Sequence, residues 1–384
     1  MKPTVMIIGL GGVGSILLEL LAREEEIGQI IAGSLEKEEG TARCNLARMG
    51  AVAQGYSPSI RYSSIDLNQK EEVAEFVRRE APDLILNAAT MQTWWLPDLL
   101  PPEKASILRG VRFGAWLPIH LTLSIKLMEA LRDASFQGVT LTTPLPDVVN
   151  CILHRLDLTP TCGIGNIDEI VAKVRILAAK RLGTILEDVQ VMMVAHHALE
   201  EHAFGERDDP EVAPWYLQVK HKGEDITERI RANDLVLAPY PVSSGPVMHF
   251  STAGSAVRMI RACFSSSNEL VHAPGPNGMP GGYPLIVSKT DMKPAPIEGL
   301  TLEKAVDINE RSHYYDGIER IEPDGTAVFC DSSMEILRQE LGYDCKRLPP
   351  NEAEHRAKEL IIRFREYAEK HGVQLSQVKN LYRG

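Results

Sequence analysis

Val5-Met6-Ile7-Ile8 is a short unbroken apolar run, and beyond the glycine-rich stretch Gly9-Leu10-Gly11-Gly12-Val13-Gly14-Ser15 comes a longer one, Ile16-Leu17-Leu18-Glu19-Leu20-Leu21. The short run predicts a buried strand and the longer one a helix. The rhythm then repeats, with strands over 29–34 and 60–65, a helix over 69–79, a buried strand over 82–89, a long helix over 121–132 and a strand over 138–143. Such alternation predicts a parallel sheet flanked by helices. The pattern changes after Pro144-Leu145-Pro146-Asp147. Gly163-Ile164-Gly165-Asn166 is a second glycine turn opening a helix over 167–182, and an apolar strand over 189–194 delivers His196-His197. A helix over 252–265, a turn-rich stretch over 272–284, a strand over 285–288, a tight hairpin at Asp324-Gly325 and a charged amphipathic helix over 351–370 complete the chain. No internal repeat or low-complexity segment interrupts it.

The first turn carries chemistry. Gly9, Gly11 and Gly14 form G-x-G-x-x-G between a strand and a helix, the arrangement that binds a dinucleotide pyrophosphate. Gly9 permits the sharp turn and Gly11 lets backbone approach the phosphates. Gly14 allows helix and strand to pack closely, and Gly12 and Val13 present N–H groups at the positive end of the helix. The predicted fold class is therefore α/β, with a Rossmann-type parallel-sheet domain. The buried strand closes on Asn87 and Ala88, where a ligand can lie against its carboxyl end. The second strand ends on Ser34 where NAD-binding proteins carry a carboxylate for the ribose hydroxyls; Ser34, Lys37 and Arg43 suit the extra phosphate of NADP, while Glu36, Glu38 and Glu39 oppose it. The expectation is NADP, with NAD possible. Lys37 reads equally as part of a solvated loop. Asp66 is a contact for the adenine side of the cofactor or a plain helix cap.

At 384 residues the chain divides into a nucleotide-binding domain over 1–148, an α+β substrate domain over 149–345 and a C-terminal helical segment over 346–384. A net charge of −11 with no Lys/Arg stripe argues against a nucleic-acid partner. No apolar run approaches the roughly 18–20 residues that span a bilayer, so a membrane is not expected. Met1-Lys2-Pro3 leads straight into a strand rather than a signal peptide, and a cytoplasmic location is the expectation. The six cysteines show no C-x-x-C pair and no zinc spacing, which predicts reduced thiols in the core and no metal.

From about 138 to 290 the order of motifs resembles the malate/lactate dehydrogenase superfamily: a strand, the exit Pro144 to Asp147, Gly163-x-Gly165 opening a helix, and a strand ending in a histidine. Phe250-Ser251-Thr252-Ala253-Gly254-Ser255 and Gly281-Gly282-Tyr283-Pro284-Leu285-Ile286-Val287-Ser288 follow that order too. The N-terminal half also resembles the NADP-binding domain of saccharopine dehydrogenase-type reductases. The first resemblance implies a second domain of malate/lactate dehydrogenase type and a proton-exchanging His197, with His196 beside it. It also implies Asp168, or Glu169, as the acid that orients the ring. An imidazole suits that task near neutral pH, and Glu201, four residues on, can support it.

Where the resembling family has a carboxylate-binding Arg, this chain has Lys173, with Arg175 two residues further; Thr142 and Thr143 stand near the place of its substrate-orienting Asn. The mobile loop carries Trp94 and Trp95 instead of an Arg, with Arg109 and Arg112 only near its far end. Lys cannot reproduce a two-pronged carboxylate contact. The expected activity is hydride transfer between a nicotinamide and a hydroxyl/carbonyl or amine/imine carbon of a small polar molecule. His197, Asp168, Lys173 and Thr143 would form the catalytic group, and Trp94, Arg175, His196 and Ser251 the substrate wall. The alternatives are an NAD(P)-sensing protein without turnover and a redox-neutral enzyme using bound nicotinamide. A metal-dependent glycosidase branch of the superfamily has a Cys where this chain has Gly165, with Cys162 outside the turn, so no metal is expected. His272 and the loop through Pro284 either close over the cleft or simply turn the chain. The resemblance also implies a homo-oligomer.

Overall fold

The first apolar run lies in the middle of a six-stranded parallel sheet. A computed structural model describes residues 2–208, 210–243 and 245–375. In chain order its first half comprises β1 (Thr4–Ile8), α1 (Gly12–Leu21), β2 (Gln29–Ser34), α2 (Lys37–Ala53), β3 (Ile60–Ser64), α3 (Lys70–Glu80), β4 (Leu84–Asn87), α4 (Pro102–Arg109), α5 (Leu117–Asp133), β5 (Val139–Thr142), α6 (Pro146–Arg155) and β6 (Cys162–Gly163). The sheet runs β3-β2-β1-β4-β5-β6 with all neighbours parallel. Met6 and Ile8 enter one core cluster and Val5 and Ile7 the other, because alternate side chains of β1 face opposite helical layers. The strand order reverses between β1 and β4, which places the crevice of a doubly wound sheet beyond their carboxyl ends.

The second half comprises α7 (Ile167–Leu182), β7 (Val189–Val194), α8 (Glu200–Ala203), β8 (Tyr216–His221), β9 (Glu224–Asp225), α9 (Asn233–Val236), α10 (His249–Phe264), β10 (Glu269–Pro274), β11 (Gly282–Val287), β12 (Met292–Pro294), α11 (Leu302–Ser312), β13 (Ile318–Ile321), β14 (Ala327–Phe329), α12 (Asp331–Leu341), β15 (Arg347–Leu348) and α13 (Ala353–Lys370). Its strands form three small antiparallel sheets, β7-β8-β9, β10-β11-β12 and β13-β14-β15. Ala195 bridges to Gly282, tying the end of β7 to β11. All six cysteines are free and buried. Among the described residues no helix is long and apolar enough to cross a membrane.

Three departures from the sequence reading have physical causes. The segment after β2, where the sequence pattern predicts no element and Lys37 reads as a phosphate ligand or as part of a solvated loop, is α2; its buried side is Gly40, Arg43, Cys44, Ala47 and Ala51, at helical spacing but too small and mixed to stand out as an apolar stripe. The parallel sheet runs past 148 to β6, and α13 folds back against α5, so Ala357, Leu360 and Phe364 share the core of the first domain. The part of the C-terminal segment over 376–384 lies outside the described residues. The stretch 272–284, for which the sequence allows either closure over the cleft or a turn of the chain, turns it as a largely buried strand hairpin. Its Pro and Gly residues mask strand pairing of Glu269–Pro274 with Gly282–Val287.

The contact between α1 and β1 sets a stability test. A Cβ on Gly14 would lie 1.9 Å from the Gly9 carbonyl oxygen, so Gly14→Ala should lower unfolding free energy by about 1–3 kcal/mol. At Gly254, inside α10, a Cβ meets open space, and Gly254→Ala should raise stability by about 1 kcal/mol. Urea unfolding of both variants checks the pair of opposite signs.

Candidate functional site

Gly9 leaves β1 at φ +93°, donates its N–H to Gly33 O at 2.8 Å, and sits so close to the chain beyond β4 that a Cβ would lie 2.7 Å from Ala89 N. Helix α1 then begins with Gly11 as N-cap, without a capping side chain and without an acidic residue in its first turn. Its first N–H groups therefore face the crevice with no side-chain acceptor, a donor set that fits an anionic pyrophosphate. The crevice opens into a cavity of about 680 Å³ that runs from Gly11, Gly12, Val13 and Ala88 past Thr90 and Trp94 to His197. Thr143, Asn166, Glu169, Glu200 and Phe204 line it further, and Arg365 and Glu369 of α13 reach it from the other side.

His197 follows β7 and is held from two directions. Its backbone N–H donates to Asp147 Oδ1 at 2.9 Å, and Nδ1 lies 3.3 Å from Asp316 Oδ1. Asn166 Nδ2 donates to the other Asp147 oxygen at 2.5 Å. The ring rests against Phe113 at 4.7 Å between centroids, and Phe113 in turn stacks on His120. Nε2 lies on the side of Glu200, 4.0 Å from its carboxylate. Burial opposes charge on the ring, but Asp316, Glu200 and Asp147 together outweigh it and push the His197 pKa up to about 10. Burial raises the Asp316 carboxyl as well, against the pull of the His197 charge. At neutral pH the proton sits on His197. Burial, with the His197 charge beside it, drives His120 down to about 3, so that ring is neutral and its Nδ1 meets Thr90 Oγ1 at 3.2 Å.

Several residues expected at the site are engaged elsewhere. Lys173 is buried, its ammonium donating to Ala203 O at the end of α8 and, at 2.8 Å, to Val236 O at the end of α9. Arg175 donates to Leu186 O and to Val189 O at 2.9 Å. Asp168 pairs with Arg258 of α10 at 2.8 Å, so the acid that orients His197 is Asp316. His196 turns away from the cavity: its Nδ1 accepts from Ala198 N at 3.1 Å and its Nε2 meets His313 Nδ1 at 3.1 Å. Ser251 donates to Glu169 Oε2 at 2.5 Å and lies behind the wall that Glu169 and Thr252 form. Thr143 and Trp94 do line the cavity. Glu201 lines it too, paired with Arg207 at 2.6 Å.

At the β2 end of the glycine turn, Arg43 turns inward, with Nη1 on Leu10 O and Ser15 Oγ and Nε 2.8 Å from Glu39. It holds the glycine turn from beneath and is not presented to a ribose phosphate. Ser34 ends β2 with its carbonyl accepting from Tyr62 Oη at 2.8 Å. Asp66 accepts from Asn68 N and Nδ2 in a local turn before α3. Asn87 is buried between Ser124 and Ala89 N, leaving Ala88 at the cavity. Sequence reasoning missed Asp316, which lies 119 residues from its histidine and carries no local motif, and Phe113, Glu200 and His249. Asp147 was visible only as the exit from the first domain. Among the described residues no three His, Cys, Asp or Glu side chains are grouped to hold a metal ion.

No protein-family model and no curated protein sequence matches the chain. Among solved structures it is similar to lactate dehydrogenase from Eimeria maxima, whose crystal structure is with NADH and oxamate, at TM-score 0.57 and 13% identity over 82% of this chain and 92% of that one. It is similar to malate dehydrogenase from Cryptosporidium parvum at 0.56 and 14%, covering 82% and 96%. Malate dehydrogenase from Plasmodium falciparum gives 0.55 and 14%, covering 94% and 99%. The chain thus has the fold of these Rossmann-type dehydrogenases, first domain and second.

The His197 pair sets its own titration. By NMR, the His197 ring should keep both protons up to a midpoint of about 10. In Asp316→Asn, where burial faces less opposition, the midpoint should fall by about 1–3 units. An unmoved midpoint would remove Asp316 as the controlling charge.

Proposed function

We propose that this chain is a nicotinamide-dinucleotide-dependent oxidoreductase that interconverts a hydroxyl and a carbonyl, or an amine and an imine, on a small polar molecule. The observation that carries the reading is that the uncapped N-terminus of α1 and His197, held from behind by Asp316, open into one cavity. Backbone N–H groups of Gly12 and Val13 would hold the pyrophosphate, with Ala88 and Thr143 along the cavity wall. The bound dinucleotide supplies the hydride acceptor or donor.

The proton is the work of His197. Protonated at neutral pH, it donates from Nε2 to the carbonyl oxygen or imine nitrogen as that carbon is reduced, and in the reverse direction Nε2 takes the proton back. Asp316 acts as a positioning residue: it holds Nδ1 and thereby leaves Nε2 for the substrate. Phe113 fixes the tilt of the ring.

The wall chemistry narrows the substrate. Lys173 and Arg175 donate to carbonyls outside the cavity, whereas Glu169, Glu200, Glu201 and Glu206 line it, with Arg365 on α13. That set disfavours a carboxylate beside His197 and suits a neutral or amine-bearing molecule. With Arg43 committed to Leu10 and Ser15, one of the two cations behind the NADP expectation is withdrawn, and Lys37 stands beside Glu36, Glu38 and Glu39, so NAD is the better fit.

The test begins with NADH titrated by fluorescence, followed by a panel of neutral and amine-bearing carbonyl compounds against 2-oxo acids. NADH should bind, turnover should be confined to the first group, and His197→Asn should lower kcat by about 100-fold or more while leaving NADH affinity within about 2-fold. Reduction should hold as pH rises and fall only on approach to about 10, where His197 loses its proton. Absence of NADH binding, or unchanged turnover in His197→Asn, overturns the reading.

A further inference from the structure

His249 is the first residue of α10, and α10 packs along α1, so the beginnings of the two helices meet at the glycine turn. Its ring lines the cavity yet is only 5% exposed. Trp94, from the loop after β4, places Nε1 3.1 Å from His249 Nε2, with the two rings edge to face at 83°. An indole N–H only donates, so Nε2 of His249 is the acceptor. Burial drives the His249 pKa down to about 4, which keeps the ring neutral with a single proton. That proton is therefore on Nδ1.

Nδ1 is buried and has no hydrogen-bond partner in the protein. It faces the first residue of α1 at close range: a Cβ on Gly12 would lie 2.1 Å from it. A buried donor left without an acceptor is costly, and this one points at the place where the helix N-terminus already calls for an anion.

We propose that His249 Nδ1–H is a side-chain donor to the diphosphate of the dinucleotide, and that Trp94 is the positioning residue that selects its tautomer. The inference rests on the dinucleotide reading above and adds to it a clamp made by the second domain on the phosphates. Trp94 and His249 close that clamp from opposite sides of the crevice, one from the nucleotide domain and the other from α10. Gly12 matters here for the space it leaves under the imidazole.

The test uses ADP-ribose and NADH as ligands, measured by calorimetry and fluorescence, together with ¹⁵N NMR of the histidine rings. In the free wild-type protein the His249 signal should be that of the Nδ1–H tautomer, and its Nδ1–H should shift on adding ADP-ribose. His249→Phe keeps the ring and removes the donor, and should weaken both ligands by about 10-fold. His249→Gln, which restores an N–H, should recover part of that loss. Trp94→Phe should leave both tautomers populated and weaken binding by less than His249→Phe does. ADP-ribose affinity unchanged in His249→Phe, or an Nε2–H tautomer in the free protein, overturns the proposal while leaving the dinucleotide reading standing. Wild-type protein that binds neither NADH nor ADP-ribose overturns both.

Discussion

Everything around His197 depends on one buried carboxylate. Asp147 is fully enclosed, and its two oxygens accept from the His197 backbone N–H and the Asn166 side chain, while its own carbonyl accepts from Gly281 at 3.3 Å. One residue thus joins the start of α6, the turn before α7, the end of β7 and the entry to β11. Burial raises its carboxyl to about 6, outweighing the nearby His197 charge and the two hydrogen bonds that favour the ionised form. Asn166 is held at φ +46°, in the left-handed region, and Leu145 at φ +45° just before α6. Backbone in that region persists only where surrounding contacts determine it, and here both residues line the cavity that Asp147 braces.

The histidine and its carboxylate illustrate how a geometry can be kept while its parts change. The resemblance in the sequence places the orienting acid on the helix after the second glycine turn, at Asp168. In the folded chain that residue is neutralised by Arg258. The same service comes instead from Asp316, in the short turn after α11, which also holds Gly114 N at 3.2 Å and so ties the Phe113 wall to the histidine. Asp316 sets the direction of the ring and, ahead of Glu200 and Asp147, contributes most to keeping it charged.

What could be read in advance follows from range. β1 and its glycine turn, β2, α7 and β7 are specified by neighbours in sequence, and their bounds in the fold match the apolar pattern closely. His197 could be singled out from the resemblance and the strand before it, and the fold sets it on the cavity. Asp316 could not be, since a pairing across 119 residues leaves no local mark. Lys173 and Arg175 show a further limit: a basic residue on an amphipathic helix reads as a ligand group or as a capping donor for buried carbonyls with equal ease, and only the packing of α7 against α8, α9 and β7 decides it. Arg43 repeats the lesson beneath the glycine turn.

The return of α13 to the first domain has a consequence for how the molecule is made. The six strands of the parallel sheet are complete by Gly163, yet one face of α5 packs against a helix that begins only at Ala353. Trp116 at the start of α5 meets Phe364 edge to face at 5.7 Å, and the same helix supplies Arg365 and Glu369 to the cavity. During synthesis the first half therefore emerges with that face of α5 bare, and must wait for nearly the whole of the chain before it is covered. Closure of the first domain and completion of the cavity become one late event, so a ribosome-bound or prematurely ended chain carries a formed glycine turn without an enclosed site, and exposes a surface that invites chaperones.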